Sequence, residues 1–433
     1  ANAGDGFGFF VHANLRASGL ADAIFELDLL AAQLSFTHTL ATRAKDAQGR
    51  SLQRAWERAA ATLPLDALAA NDWPTWHAGA AAARTQLAPF ADEAKRYTAY
   101  VVAHSHIDMN WLWPMAETVD VCRRDFSTMD RLMEKYPDYH FSQSQAATYA
   151  MTEAADPALF ERIRARVAEG RWEVTANTWV ENDLNMAAGE AMARQMLHAR
   201  RFDKARFGVD PVICWEPDTF GHPATIPQLL AQAGIKYYYF CRAGRRHPLF
   251  WWEGPDGSRV LGVQDPGGYN GEITPSNIAG ATIAFTQPSG IHAGLYVFGA
   301  GDHGGGGTAR DIEAARRLDG EPFLPRVRMS SAASFYDAAL AELESLHALD
   351  RGQKAGYHLG LPVVRGELNT VFEGCYTSHG DIKRLNRNAE NTLLTAETAA
   401  TLATVLTGAQ YPAAALAEAW QTACFHQFHD ILC

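Results

Sequence analysis

The sequence predicts an α/β protein in which a parallel sheet lies between two helical segments. Residues 1–95 and residues 329–433 carry apolar side chains at helical spacing, as in LADAIFELDLLAAQLSF and LNRNAENTLLTAETAATLATVL. Residues 96–328 instead alternate short β-rich runs with stretches long enough for a crossover helix. This alternation is typical of a parallel sheet, either doubly wound or closed into a barrel. We therefore expect three segments with these boundaries.

Composition limits the class of protein and its partners. The chain has 433 residues, more than one compact core holds, so we expect two or three structural units. Its net charge of −11 disfavours nucleic acid or an acidic membrane as partner. The sequence has no long apolar run, so we expect no membrane-spanning helix. The N-terminal residues lack the pattern of a signal peptide, and we expect a cytoplasmic protein, with a secreted or periplasmic location left open.

Seven runs in the middle segment have the pattern of strands. In chain order they are TAYVVA, YHFSQ, RWEVTA, PVICW, KYYYF, RVLGV and GLYVFG. Polar residues follow nearly all of them, in HSHIDMNW, SQAATY, NTWVENDLN, EPDTFGH, CRAG, QDPGGYN and GDHGGGG. Catalytic residues of α/β folds lie at the carboxyl ends of the strands. The sequence therefore predicts one active site assembled from several loops.

The first of these loops contains His104, His106 and Asp108. In an extended segment, residues two apart point to the same side, so the three side chains share a face if the strand continues that far. Imidazole and carboxylate together suit a divalent metal, with zinc as the leading candidate. A structural hydrogen-bonded His and Asp pair is the alternative.

Two further aspartates follow strands. Asp218 comes after PVICW, where Pro217 stiffens the exit from the strand, and is either a reacting group or a helix cap. Asp302 precedes four consecutive glycines and is either a proton donor or a turn residue. This glycine run lacks the Lys of a phosphate-binding loop. Glu181 and Asp183, after the third strand, are either site carboxylates or loop and cap residues.

The C-terminal run QFHDIL places His429 and Asp430 at the end of a predicted helix. Phe425, Phe428 and Leu432 fall on one stripe of that helix and are expected in the core. A histidine at this position is either a metal ligand or a buried residue with ordinary hydrogen bonds.

Six segments together resemble glycoside hydrolase family 38, the class II α-mannosidases. They are HSHIDMNWLWPMAET, RWEVTANTWVENDLNMAAGEAMARQ, CWEPDTFGHPATIPQLL, GDHGGGGT, GELNTVFEGCYTSHGDIKRLNRNAE and QFHDIL. They occur in the family's order, from residue 99 to the end of the chain. The resemblance implies a seven-stranded α/β barrel followed by a three-helix bundle. It also implies that relatives continue into a β-rich region, so we expect the chain to be a fragment.

The resemblance also assigns a metal site. His106 and Asp108 match the first two metal ligands of the family, and His429 matches the ligand supplied by the helical bundle. Asp218 matches the residue that both binds the metal and attacks the anomeric carbon. The implied cofactor is one divalent ion, with zinc preferred.

Further residues are placed around the sugar. Trp111 matches the aromatic residue under the sugar ring, Arg242 an active-site arginine, and Asp302 the general acid/base. His104 and Asp430 are interpreted as substrate-binding, with His104 orienting Asp108 or a sugar hydroxyl.

The function implied is that of a retaining, exo-acting α-mannosidase that acts on terminal α-linked mannose of oligosaccharides or glycans. One alternative is a metal-dependent carbohydrate deacetylase, in which Asp218 would act as a base. Another is a non-catalytic fragment that binds mannose. The partner in each case is a carbohydrate, and homo-oligomerisation is left open.

Overall fold

The structure, a computed structural model, describes residues 20–43, 46–243, 247–347, 356–369 and 372–433. These residues form two compact units, each built from separate stretches of the chain. The first unit comprises the described residues of Ala1–Tyr100, Glu272–Tyr296 and Ala309–Arg328. The second comprises those of Val101–Gly271, Val297–Thr308 and Met329–Cys433.

Helices make up much of the described chain. In chain order they are α1 (Leu20–Arg43), α2 (Ala47–Thr62), α3 (Leu65–Ala69), α4 (Trp73–Gln86), α5 (Ala91–Ala94), α6 (Met115–Lys135), α7 (Ala146–Ala155), α8 (Pro157–Ala168), α9 (Gly189–Arg206), α10 (Ile226–Gln232), α11 (Pro275–Ser289), α12 (Ala309–Asp319), α13 (Ala332–His347), α14 (Gly380–Thr407), α15 (Ala413–Phe425) and α16 (His429–Leu432). Short 3₁₀ helices span Ala88–Phe90 and Glu373–Thr377.

The strands lie mainly in the middle of the chain. They are β1 (Thr98–Ala103), β2 (Phe141–Gln143), β3 (Trp172–Val174), β4 (Ile213–Glu216), β5 (Gly221–His222), β6 (Tyr237–Phe240), β7 (Leu249–Glu253), β8 (Arg259–Gln264), β9 (Ala293–Phe298), β10 (Arg326–Met329), β11 (Tyr357–His358), β12 (Leu361–Arg365) and β13 (Leu368–Asn369). All seven predicted strands are present, as β1, β2, β3, β4, β6, β8 and β9.

The first unit contains the N-terminal helices. Helix α1 packs against α2 and α11, and a small apolar cluster forms around Leu30, Trp76 and Ala80. Asp46 begins α2 by accepting a hydrogen bond from the Gly49 amide at 2.8 Å, which satisfies a donor at the start of the helix. The predicted helical runs of the first segment are confirmed by α1 and α2.

The sheets confirm the predicted parallel α/β class. One sheet has the order β10-β1-β2-β3, with β9 also paired to β1, and a second has the order β11-β12-β7-β8-β6-β4. Strand pairs β1–β2, β2–β3, β4–β6 and β6–β8 are parallel. Within the described residues, backbone pairing divides the seven predicted strands between these two sheets. A single closed barrel is not confirmed.

Strand β7 was not predicted, and it pairs antiparallel with β8. The turn between them contains Asp256 and Gly257, and Gly257 has a φ of +85°. An Asp-Gly pair between two β-rich runs is a hairpin signal, because glycine adopts positive φ without strain. The sequence therefore contained a signal for β7 as one strand of a hairpin.

The last helices do not confirm the three-helix bundle that the resemblance implies. Within residues 372–433, α14 and α15 are the long helices, and α16 has 4 residues. Several apolar side chains of α14 are exposed. These are Leu385, Leu394, Leu402, Val405 and Leu406.

A carboxylate on β3 fixes the start of α13. Glu173 accepts hydrogen bonds from the amides of Ala332 and Ala333, at 2.7 and 2.9 Å, and from the hydroxyl of Ser142 on β2. Amides in the first turn of a helix have no partner within the helix, so an outside acceptor stabilises its start. Glu173 thereby joins two neighbouring strands to one helix.

We predict that Glu173→Ala lowers the free energy of unfolding by about 1–2 kcal/mol, because two helix amides lose their acceptor. Urea denaturation measures the change. The control is Glu161→Ala, which removes an exposed carboxylate of α8 that pairs with Arg164. We expect the control to change stability by less than about 0.5 kcal/mol. Equal losses in the two variants would contradict the capping role.

Candidate metal centre and active site

Four side chains from distant parts of the sequence converge in the second unit. One candidate ligand atom each from His106, Asp108, Asp218 and His429 lies within 4.8 Å of the others, and all four residues are buried. His106 and Asp108 follow β1, Asp218 follows β4, and His429 begins α16. The structure therefore brings together the four residues that the sequence predicted as ligands.

The spacing of the four atoms suits a small divalent ion. Nε2 of His429 lies 3.5 Å from Asp108 Oδ1 and 3.4 Å from Asp218 Oδ2. Nε2 of His106 lies 2.8 Å from Asp108 Oδ1 and 3.9 Å from Asp218 Oδ2. Tetrahedral zinc with bonds near 2.1 Å separates its ligand atoms by about 3.4 Å. The two separations that involve His429 are close to that value, the His106–Asp108 pair is closer, and the His106–Asp218 pair is wider.

The ring of His429 is oriented as a metal ligand requires. Its Nδ1 lies 2.9 Å from the main-chain oxygen of Glu181, and a carbonyl oxygen can only accept. Nδ1 therefore carries the hydrogen, which leaves the lone pair of a neutral ring on Nε2. Nε2 is buried without a hydrogen-bond partner and faces the carboxylates of the cluster. This unpaired acceptor is the observation that best fits a bound ion.

Glu181 connects three of the four residues and has no exposed surface. Its Oε1 accepts hydrogen bonds from the amides of Asp218 and Thr219, the latter at 3.1 Å. Its Oε2 lies 3.1 Å from Nδ1 of His106, which turns Nε2 of that ring towards the cluster. Of the two interpretations of Glu181, the structure supports a site carboxylate. Asp183 instead accepts from the amides of Asn185 and Met186, as a loop residue does.

The pKa values reflect the density of buried charge. Burial lowers the pKa of His106, but the Glu181 and Asp108 carboxylates outweigh it and raise that pKa well above its usual value. Burial raises the pKa of Asp218, but His429, whose Nε2 lies 3.4 Å from Asp218 Oδ2, and His106 lower it to about 2. Buried carboxylates need compensating positive charge. A divalent cation would supply it here.

Arg242 binds the other side of the Asp218 carboxylate. Its guanidinium pairs with Oδ1 of Asp218, and its Nε donates to the Asp218 main-chain oxygen at 3.1 Å. The guanidinium also lies over the rings of Phe220 and Phe372, at 5.4 and 5.2 Å from their centroids. One oxygen of Asp218 thus faces the histidines and the other faces an arginine.

Asp302 is tied to the metal-ligand segment through its backbone. Its carbonyl oxygen accepts from the Asp108 amide at 2.9 Å, and its φ of +64° is in the left-handed region. Left-handed backbone is uncommon outside glycine, although Asp adopts it more readily than most residues. The hydroxyl of Tyr269 lies 3.4 Å from Oδ1 of Asp302.

Tyr269 was missed by sequence reasoning. Its ring lies against the ring of His106, with 4.8 Å between the centroids. Burial first, and then the Asp218 charge and a hydrogen bond to that carboxylate, raise the pKa of the Tyr269 hydroxyl. Tyr269 therefore neighbours both Asp218 and Asp302. The sequence could have indicated Tyr269 as a candidate site residue, because it lies in the run QDPGGYN at the carboxyl end of β8.

Two tryptophans occupy the loop after β1. The Trp111 side chain is exposed and meets the Trp113 ring edge to face, with 6.0 Å between centroids. Trp113 is anchored by a hydrogen bond from its Nε1 to the Thr118 hydroxyl at 3.0 Å. The Trp111 ring is therefore accessible beside an anchored indole, and its contact with a sugar ring stays a prediction.

His104 requires a correction. Its side chain is fully buried, Nδ1 lies 2.9 Å from the Ser142 main-chain oxygen, and Nε2 lies 3.3 Å from Nε1 of Trp215. Both ring nitrogens therefore have partners within the sheet region. Strand β1 ends at Ala103, so the side-chain alternation of a regular strand does not extend to Asp108. His104 neither orients Asp108 nor has a nitrogen left for a sugar hydroxyl.

Asp430 lies at the edge of the cluster. Its Oδ2 is 3.7 Å from Nε2 of His429, and burial raises the pKa of this carboxyl to about 6 even though the His429 charge opposes the shift. The position beside the candidate ligands agrees with a contact to substrate.

No helix in the described residues is long and apolar enough to cross a membrane.

The parallel α/β fold and the buried His/Asp group define a protein with a candidate divalent-metal site. The chain matches the family model described as "Glycosyl hydrolases family 38 N-terminal domain" over residues 96–356. It also matches the model "Alpha mannosidase middle domain" over residues 370–433. The chain therefore belongs to glycosyl hydrolase family 38.

Named relatives agree with this membership. The chain is 34% identical over 347 residues to Alpha-mannosidase 2C1 of Homo sapiens, covering 78% of this chain and 32% of that protein. It is 31% identical over 351 residues to Alpha-mannosidase of Saccharomyces cerevisiae, covering 77% and 31%. The chain thus spans about a third of the length of these relatives.

A solved structure shares the fold. The crystal structure of an alpha-mannosidase from Enterococcus faecalis V583 superposes with a TM-score of 0.65 at 22% identity. The match covers 78% of this chain and 39% of that one.

We predict that His429→Ala lowers the affinity of the protein for a divalent ion by at least about tenfold, because one of four proposed ligands is lost. Elemental analysis after dialysis against a buffered zinc series measures the stoichiometry and affinity. The control is His140→Ala, whose ring bonds to the nearby carbonyl of Asp138. Unchanged zinc binding by the His429 variant would remove this residue from the ligand set.

Proposed function

We propose that this chain carries the catalytic site of a retaining α-mannosidase that hydrolyses terminal α-linked mannose from oligosaccharides or glycans. The observation that carries the proposal is the convergence of His106, Asp108, Asp218 and His429 in one buried cluster. Membership of family 38 and the similarity to the two α-mannosidases named above support it.

The cluster would hold one divalent ion, with zinc as the leading candidate. Two imidazole nitrogens and two carboxylate oxygens form a ligand set that zinc accepts. The unpaired Nε2 of His429 and the orienting contacts of Glu181 support this assignment. When bound, the ion would supply positive charge that attracts the sugar's hydroxyls. Because the 2-hydroxyl of mannose is axial, this attraction would favour binding of mannose over glucose.

Asp218 is proposed as the nucleophile. Retaining hydrolysis needs an ionised carboxylate that attacks the anomeric carbon and forms a covalent glycosyl-enzyme. His429, His106 and Arg242 hold the pKa of Asp218 at about 2 despite burial, so the group is ionised at neutral pH. The amides that Glu181 binds, including that of Asp218 itself, fix the backbone at this position.

Asp302 is proposed as the group that protonates the leaving oxygen and then activates water. A second carboxyl across the glycosidic bond is what the retaining reaction requires. Tyr269 neighbours Asp302 and Asp218 at once, which supports placement of the two carboxyls around one space. Trp111, Arg242 and Asp430 are proposed to contact the sugar around these two groups.

The family's barrel belongs to the same proposal. Nδ2 of Asn177, just after β3, donates to the main-chain oxygen of Ile213 on β4 at 2.6 Å. Gly271, after β8, and Gly299, after β9, exchange backbone hydrogen bonds of 2.9 and 3.2 Å. Both links join strands that would be neighbours in a closed barrel of seven strands. The three-helix bundle would likewise extend the helices α14 and α15.

We predict that Asp218→Asn lowers the rate of hydrolysis of an aryl α-mannoside by roughly 1,000-fold or more, because the amide is a poor nucleophile. Release of the aryl alcohol, followed by absorbance, measures the rate. In the unsubstituted protein, a slow fluoro-mannoside should leave a covalent mannosyl group on the peptide that contains Asp218, detected by mass spectrometry.

Two outcomes would contradict the proposal. Release of acetate from an acetylated amino sugar, without cleavage of the mannoside, would identify a metal-dependent deacetylase. Metal-dependent binding of mannose without turnover or covalent label would identify a binding fragment.

A further inference from the structure

Glycines of the run that follows His303 pack closely against helix α6 and strand β9. A Cβ atom on Gly304 would lie 2.1 Å from Oδ2 of Asp125, and one on Gly307 would lie 2.8 Å from a ring carbon of Phe298. Gly304 and Gly306 also have φ values of +73° and +62°. Only residues without a Cβ fit such contacts, so the close approach to α6 and β9 explains these glycines.

Asp125 of α6 is the polar contact at this approach. Its side chain is 2% exposed, and its Oδ2 accepts hydrogen bonds from the Ser105 hydroxyl, at 2.7 Å, and from the Gly305 amide. Ser105 directly precedes the candidate ligand His106. One carboxylate oxygen therefore bonds both the metal-ligand segment and the glycine loop.

Further bonds hold the same loop at Asp302 and His303. Nη2 of Arg124, the neighbour of Asp125, donates to the His303 main-chain oxygen at 2.9 Å. The Asp302 carbonyl accepts from Asp108 at 2.9 Å, and Ile107 forms a bridge with His303. The backbone of this loop is thus held at residues 302, 303 and 305.

We propose that Asp125 is a positioning residue for the proton donor Asp302, acting through Gly305 and Ser105 without touching substrate. The inference rests on the proposed function, in which Asp302 protonates the leaving oxygen. Asp125 sets the distance between the glycine loop and the segment that carries His106. It therefore sets the place of Asp302 relative to a sugar held at the cluster.

The role has a kinetic signature that depends on the leaving group. Proton donation matters for a basic leaving oxygen and contributes little when the departing phenolate is already stable. A shift of a catalytic group by about 1 Å costs on the order of 100-fold in rate. Displacement of Asp302 should therefore slow the hydrolysis of poor leaving groups selectively. General destabilisation would slow all substrates alike.

Asp130 provides a matched control on the same helix. It has the same 2% exposure as Asp125, and its oxygens pair with Arg162 and Arg166 at 2.8 Å. These arginines belong to α8 and not to the glycine loop. Asp130→Asn therefore removes a buried carboxylate from α6 and leaves the contacts of the loop in place.

The test compares Asp125→Asn with Asp130→Asn in the full chain loaded with zinc. The substrates are phenyl α-mannoside and 2,4-dinitrophenyl α-mannoside, and kcat/KM is measured for each. For Asp125→Asn we expect a fall of at least about tenfold with the phenyl substrate and less than about threefold with the dinitrophenyl substrate. Asp130→Asn should change both substrates by the same factor. Equal factors for Asp125→Asn, or no fall, would overturn the inference.

Two further variants separate the possible failures. Arg124→Ala removes the half-exposed donor to His303, so folding is retained. We expect kcat/KM to fall more for the phenyl than for the dinitrophenyl substrate, and this difference, called the split, to be smaller than in Asp125→Asn. A lack of any split in this variant and in Asp125→Asn contradicts the positioning role. Asp302→Asn must itself show the largest split. If it shows none, the assignment of the proton donor fails, and the proposed function fails with it.

Discussion

The site depends on one buried carboxylate, Glu181, whose negative charge is enclosed by the protein. Its Oε1 accepts hydrogen bonds from the amides of residues 218 and 219, and its Oε2 faces Nδ1 of His106. Its main-chain oxygen accepts hydrogen bonds from the amide and from Nδ1 of His429. Residues after β1, after β4 and at the start of α16 thus share a single neighbour. A buried charge is tolerated only with such partners, so the need to satisfy Glu181 fixes both imidazole rings and the backbone of Asp218 together.

This arrangement gives Asp218 and Asp302, the two carboxyls proposed to react, different surroundings. Asp218 lies between two histidines and Arg242, which keep it ionised. Asp302 lies on a glycine-rich loop whose Gly305 amide donates a hydrogen bond to Asp125 of α6. The Asp302 carbonyl accepts a hydrogen bond from the Asp108 amide, which connects the loop to the cluster. The proposed nucleophile therefore lies in the charged cluster, while the proposed proton donor is positioned by backbone contacts. Such a division suits a reaction in which one carboxyl is ionised when it attacks and the other exchanges a proton.

Sequence patterns predicted the parts of this structure that are local. The seven strands are predicted because β-rich runs alternate with polar loops and helical stretches along the chain. His106, Asp108, Asp218 and His429 stand at strand or helix ends, but only the resemblance to family 38 implied that they form one ligand set. Contacts between distant residues leave no such pattern. The partners of His104, which are Ser142 and Trp215, could not be inferred from the spacing of neighbouring residues, and neither could the meeting of Asp125 with the glycine loop. The boundaries of the three segments and the zinc preference stay predictions.

The central claim is that one divalent ion is held by His106, Asp108, Asp218 and His429. It is tested most directly by a crystal structure of the zinc-loaded protein, with anomalous diffraction recorded on both sides of the zinc absorption edge. The account predicts a single anomalous peak bonded to Nε2 of both histidines and to one oxygen of each aspartate, with Glu181 still facing Nδ1 of His106. A peak elsewhere, or a peak in the cluster without Asp218 as ligand, would contradict it.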